Sequence, residues 1–311
     1  MVPENIQLKM TEAKRHHYLP KSYLERFCEN NDVFVYDRKM KEIRSQTPIN
    51  TALQSQYYSS VNEKGEKNPE IETQLLSKID GDGNIVIKKL LNHEQIDKFD
   101  IEKLSIFLGF MMHRTPYFED SYNSLSSHLL RQLLDPIFSN DKNIELIMDK
   151  NENNFTAKEM ADFHNENKGN LKITPHRNDS LKFMLERSLP FAEMFMQMDF
   201  NILYCSKELS VITSDNPVFT TTKINQETNN VIGKITLFPL SHNHCLNLSE
   251  KKRNYINYVE IKQDNVDYIN KEVALNSYRF IFGKSEKILK KIVLENKIKD
   301  MKPRKKFYCG E

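Results

Sequence analysis

The chain has no tryptophan, only 8 glycines and only 4 cysteines in 311 residues. Each shortage excludes something. Few glycines mean few turns with positive φ and no glycine-rich loop to cradle a nucleotide. The cysteines, Cys28, Cys205, Cys245 and Cys309, stand far apart with no C-x-x-C pair, which argues against a zinc ribbon or a paired redox motif. Long hydrophobic runs are missing too. The longest, IFLGFMM at 106–112, is too short to span a bilayer. The opening stretch MVPENIQLKMTEAKRHH holds no apolar leader segment. A reduced cytoplasmic protein with free thiols and no membrane partner is therefore expected. Charge of one sign is also lacking: 45 basic and 43 acidic side chains leave a net charge of +2. Global charge thus argues neither for nor against a nucleic-acid partner, and any basic surface has to be local.

What is present reads as a soluble α+β chain. Residues 19–28, LPKSYLERFC, carry Leu19, Tyr23, Leu24 and Phe27 at helical spacing. DVFVYDR at 32–38 alternates like a strand, and KEIRSQT at 41–47 completes a β-hairpin. Residues 49–58 fit no template and end in Tyr57 and Tyr58. From 70 to about 197 the pattern is helical. Interruptions are expected at GDGN, 81–84, and at Pro116. Strands follow at 200–206, 209–213, 218–222, 234–240 and 244–249. A helix, the strand RFIFG and a last helix close the chain. The reading is one α+β domain over 1–300: an N-terminal hairpin with a short helix, a helical middle, and a mainly antiparallel β region at about 198–283 closed by helices. A basic tail, 301–311, follows.

Five stretches carry candidate chemistry. RHHYLPKSYLERF crowds His16, His17, Tyr18, Lys21, Tyr23 and Arg26 together. A histidine here is suited to proton transfer at neutral pH, although capping of a buried turn explains it as well. VITSDNPVF, 211–219, sets Asp215 and Asn216 at a strand's end, where an Asx-turn is the plain alternative. MMHRTPYF, 111–118, places Arg114 on an apolar helix. A buried guanidinium needs a partner, and Asp215 or Glu72 is expected to supply it. Glu72 in EIETQLLSKID otherwise reads as a solvated face residue. His242-x-His244 has metal-like spacing, but no third ligand is apparent and a structural zinc site is not expected.

HHYLPKSYLERF, VFVYDR, EIETQLLSKID, HRTP, TSDNPV and FPLS occur in this order between residues 14 and about 280. Together they resemble a bacterial and phage family known as domain of unknown function 4238. The opening H-H-Y-x-P-x-x-Y-L-x-x-F is the most specific piece, and T-S-D-N-P-V the second. The resemblance implies that His16, His17, Tyr18, Pro20, Tyr23, Arg114, Asp215, Asn216 and Pro217 occupy family-defining positions. It carries no established activity. By association it implies mobile-element or anti-phage defence cargo, where nucleases are common.

Two functions compete. The first is phosphodiester cleavage, with RNA as the favoured substrate. His16 or His17 would serve as acid or base, Arg114 would stabilise the phosphate, and Asp215 would orient the histidine. Tyr18, Lys21, Tyr23 and Asn216 would bind substrate. A metal-dependent version would place Mg²⁺ or Mn²⁺ between Glu72 and Asp215. The second is a non-catalytic module that senses a nucleotide or a protein with the same residues. No H-E-x-x-H, G-x-S-x-G or phosphate-binding glycine loop adds support to other enzyme classes.

Overall fold

The structure, a computed structural model, describes residues 15–148, 155–167, 175–224, 231–249, 256–296 and 298. Cys309, the loop expected around 150–154 and the basic tail lie outside them.

The described residues begin with strand β1 (Arg15–His17), helix α1 (Lys21–Leu24) and a tight 3-10 turn over Glu25–Phe27. Strands β2 (Val33–Asp37) and β3 (Glu42–Gln46) form the expected hairpin. Three short strands follow: β4 (Leu53–Ser55), β5 (Ser60–Val61) and β6 (Lys67–Asn68). Then come a π-helical turn, Ile71–Leu76, and helices α2 (Ser77–Leu91), α3 (Lys98–His113) and α4 (Pro116–Phe138). Helices α5 (Asp141–Ile147), α6 (Ala157–Asn167) and α7 (Arg177–Met196) complete the middle. The remainder is β7 (Asp199–Tyr204), β8 (Thr213–Ser214), β9 (Phe219–Ile224), β10 (Val231–Ser241), β11 (His244–Ser249), β12 (Ile256–Glu260), α8 (Gln263–Asn276), β13 (Phe280–Gly283) and α9 (Glu286–Glu295).

The class is α+β, as the sequence implies. One sheet runs β12-β7-β11-β10-β9, antiparallel except where β12 lies parallel to β7. A second runs β3-β2-β13-β8 and joins the N-terminal hairpin to strands from the C-terminal third of the chain, and β1-β4 and β5-β6 form two small two-stranded sheets. The N-terminal segment docks on the β region. Arg26 donates from Nε to the Leu240 carbonyl at 2.8 Å, and the His242 N–H reaches the Arg26 carbonyl at 3.1 Å.

Three local expectations change. GDGN does not break α2. Gly83 sits inside the helix because the Phe107 ring of α3 fills the space a Cβ would need, so the glycine serves close packing and not a turn. Residues 209–213 contribute only the short β8, since Val211 and Ile212 are buried by packing without a strand partner along most of the segment. The polar-looking β12 was unannounced. Pro116 does interrupt the helices: α3 ends at His113 and α4 starts on the proline, whose missing N–H costs nothing in a first turn.

The chain divides into two compact units. Among the described residues, the first comprises those up to Glu119 and from Leu181 onward, and holds the two larger sheets with two apolar clusters. The second, Asp120–Ser180, is helical around a small core of Ile144, Ala157 and Ala161. In it His164 lies 3.2 Å from Asp135.

Candidate active site around Arg114

Arg114 follows the last residue of α3, and its N–H still closes the helix on the Phe110 carbonyl at 2.9 Å. Pro116 ends the helix there and sends the side chain inward, where it is 1 % exposed. Its Nη1 donates to Asp80 Oδ1 at 2.7 Å. Its Nε and Nη2 are buried and have no partner. These two nitrogens form one edge of the guanidinium, the edge that grips an oxyanion with two parallel hydrogen bonds. Burial opposes the charge of Arg114, but Asp80, the Tyr58 oxygen and Glu72 outweigh it and hold its pKa above the ordinary value.

Asp80 contacts this guanidinium and Glu72 acts on it through its charge, and the π-turn sets both on one helix face. Along a regular α-helix the step from Glu72 to Asp80 would leave the side chains roughly 80° apart. A π-turn accommodates one extra residue and cancels about 100° of that step, which restores a common face. The turn is visible in the Ser77 N–H donating to the Glu72 carbonyl, five residues back. Burial pushes the Glu72 carboxyl up to about 7, with Asp80 adding to the rise and Arg114 and the His17 main-chain N–H opposing it. Glu72 Oε2 is buried without a partner. Asp80 is raised by burial against the pull of Arg114.

The histidines arrive on β1, which pairs antiparallel with β4, His16 opposite Gln54 and His17 opposite Leu53. They differ in what they touch. His16 is buried, its Nδ1 accepts the Tyr58 N–H at 2.9 Å, and its ring stacks on Tyr58 with centroids 6.0 Å apart. His17 is half-buried. Its Nε2 lies 3.1 Å from the Ile49 carbonyl. A carbonyl only accepts, so the proton sits on Nε2 and Nδ1 carries the lone pair. Burial lowers the pKa of His17, aided by Arg15 and Arg114 and opposed by the Ile49 contact and Asp80. It is a neutral base beside a carboxylic acid poised near neutrality. Tyr58 ties the group together by donating its hydroxyl to the Arg114 carbonyl at 2.7 Å.

Asp215 does not join them. Its carboxylate accepts three main-chain N–H groups, from Tyr278 at 2.8 Å, Arg279 at 2.7 Å and Phe280 at 2.9 Å. Both oxygens are engaged in pinning the segment that enters β13. Burial raises this carboxyl to about 6 and the three donors oppose the rise. The charges acting most on His17 are Arg15, Arg114 and Asp80, so the expected pairing of Asp215 with a histidine is replaced by a clamp on backbone. In place of the expected Asp215 or Glu72, the partner of Arg114 is Asp80, about two helix turns beyond Glu72.

The other candidates divide similarly. Tyr18 is buried, and its ionisation is opposed by burial and by Asp215, which places it with the Asp215 group. Tyr23 is fully buried: its hydroxyl contacts Thr213 Oγ1 at 2.5 Å and donates to the Pro239 carbonyl at 2.9 Å. Asn216 donates to the Asn276 carbonyl at 3.0 Å. Lys21 is exposed and pairs with Glu25 at 3.4 Å. His242 and His244 face Arg26 and the Ser241–Asn243 turn, and burial lowers His244 to about 4. Among the described residues no three metal-binding side chains stand close enough to hold an ion. Sequence reasoning missed Asp80 and Tyr58. Asp80 was not singled out, and its one available signal was its place eight residues after Glu72.

The fold and this cluster define an α+β protein with a buried arginine-carboxylate centre, and no helix among the described residues is long and apolar enough to cross a membrane. The chain belongs to the family described as "Protein of unknown function (DUF4238)", whose model matches residues 15–287. Among curated proteins and among solved structures, nothing matches.

Proposed function

We propose that the chain cleaves RNA by metal-independent acid–base catalysis, with His17 as base, Glu72 as acid and Arg114 as the phosphate holder. The observation that carries the reading is the Nε–Nη2 edge of Arg114, two buried donors without a partner, near a histidine whose pKa is lowered by burial and a carboxyl raised to about 7. Burying two unpaired donors costs free energy that an oxyanion would return. RNA suits a site with one base and one acid because it brings its own nucleophile. His17 Nδ1 takes the proton of the 2′-OH, O2′ attacks phosphorus, and Glu72 gives its proton to the departing O5′. The products are a 2′,3′-cyclic phosphate and a 5′-OH. The non-bridging oxygens, where charge develops, lie against Arg114.

The metal-dependent version loses support, because both oxygens of Asp215 are occupied by main-chain donors. Free thiols at Cys28, Cys205 and Cys245 support the cytoplasmic setting. A second reading draws on the complete burial of Arg114. A buried guanidinium with two unpartnered donors also suits a module that captures a nucleotide and does no chemistry.

The deciding experiment is incubation of purified protein with single-stranded RNA in EDTA, with the products analysed for cyclic phosphate. Cleavage lost in His17→Ala supports the enzyme. Saturable nucleotide binding without turnover moves the conclusion to the sensing module.

A further inference from the structure

We propose that Asp80 is a positioning residue for Arg114, fixing the plane of the guanidinium so that its Nε–Nη2 edge stays open to a tetrahedral oxyanion. The inference rests on the reading above that Arg114 holds a phosphate.

The same molecule supplies the comparison. Asp37 grips Arg279 side-on: Nε donates to Oδ1 at 3.1 Å and Nη2 to Oδ2 at 2.8 Å. That is how a carboxylate neutralises an arginine when neutralisation is the whole task, because the fork matches both oxygens. Asp80 does otherwise. It takes Nη1 alone, at 2.7 Å, and leaves the matching edge unused although that edge is buried. Arg114 is also held at its other end, where its main-chain N–H and carbonyl are fixed by Phe110 and Tyr58. A guanidinium anchored at one nitrogen and at its backbone has little rotation left. A ligand then binds a fork that is already oriented and loses less side-chain entropy. The π-turn belongs to the device, since it sets Asp80 on the face it shares with Glu72.

The test separates position from charge. Asp80→Glu keeps the charge and moves the carboxylate by one methylene. Inorganic phosphate is titrated into ¹⁵N-labelled protein, following the Arg114 Nε–H signal, which is identified by its loss in Arg114→Lys. Thermal unfolding is read in parallel. In the wild type, phosphate is expected to shift that signal. Asp80→Glu is expected to weaken phosphate binding about tenfold, the cost of one misaligned charged hydrogen bond, with little loss of thermal stability. Asp80→Asn is expected to weaken it further. Should Asp80→Asn not fold, Asp80→Glu decides alone. Phosphate affinity in Asp80→Glu within about twofold of wild type overturns the proposal, because only charge would then matter. A wild-type Arg114 signal unmoved by phosphate overturns it as well. Phosphate binding that behaves as expected without any RNA cleavage leaves the positioning role standing and defeats the catalytic reading alone.

Discussion

Arg114 and Asp215 are both charged, both buried and both placed where a regular element ends, yet their surroundings differ in kind. Asp215 accepts from three main-chain N–H groups and has nothing left to offer. Arg114 spends one nitrogen on Asp80 and keeps two buried donors in hand. A satisfied buried charge holds a fold together. One that is left unsatisfied at a cost of some kcal/mol marks a place where a ligand's groups belong. The two residues looked alike in sequence as polar interruptions of apolar segments. Their hydrogen bonds assign them opposite work, and that contrast can be broken or sharpened by mutation.

The largest effect is expected at Asp215. Asp215→Ala orphans three N–H groups at about 1–3 kcal/mol each, so a loss above about 3 kcal/mol is expected, most of it as global destabilisation. Denaturant unfolding measures it. Activity per folded molecule should change little. A stable variant that has lost turnover would restore Asp215 to the catalytic group and erase the comparison.

His17→Ala comes next. Removing the base is expected to lower the cleavage rate roughly 10²–10⁴-fold while thermal unfolding stays near wild type, since the lost contact is a single half-exposed one to Ile49. His16→Ala should show the reverse, with stability falling because Tyr58 loses its acceptor. If His16 proves to be the residue whose loss silences a well-folded protein, the base has been misassigned.

Glu72 sharpens the contrast through pH. Its carboxyl sits at about 7, above the ordinary 4.5, so the native state binds the extra proton between those values. Stability contributed by this group is therefore present below about 4.5 and falls as pH rises through about 7. Glu72→Gln is expected to gain stability relative to wild type over that window, read as a growing difference in unfolding midpoint. Activity should follow a narrow bell. The acid limb belongs to His17, below its ordinary 6.5, and the alkaline limb to Glu72 near 7. An alkaline limb that persists in residual Glu72→Gln activity would show that another group is the acid.

Much of the frame was legible because its signals are local. The hairpin at 33–46 alternates in period two, and β11 was read to the residue from HCLNLS. The helix break before Pro116 follows from one ring. The illegible parts depend on distant partners or on unusual backbone. Residues 49–58 gave no turn signal because Ala52 and Gln56, neither a glycine, take φ of 54° and 56° around β4. Gly83 read as a breaker because Phe107 is far away in sequence. At the site, His17 and Arg114 were legible as polar residues out of place, while Glu72 read as a solvated face residue. Which of them met was not legible. The register of the π-turn brings Asp80 to Arg114, and no side chain advertises a π-turn.

The smallest effect is expected at Lys21, which the sequence offered as a substrate contact. Its side chain is 52 % exposed and pairs with Glu25, itself 51 % exposed, one turn along α1. Exposed pairs of this spacing contribute about 0.3–0.5 kcal/mol at most, and salt screens them. Lys21→Ala is therefore expected to leave unfolding within about 0.5 kcal/mol of wild type and cleavage unchanged. The informative measurement is the salt dependence of RNA binding. A lysine that touches the phosphate backbone contributes roughly one counterion to the slope of log affinity against log salt. If Lys21→Ala lowers that slope by about one, the RNA passes along α1 on its way to Arg114, and the bound surface extends beyond the buried cluster. If the slope is unchanged, affinity is concentrated where the unpaired donors are, which the contrast between Arg114 and Asp215 requires.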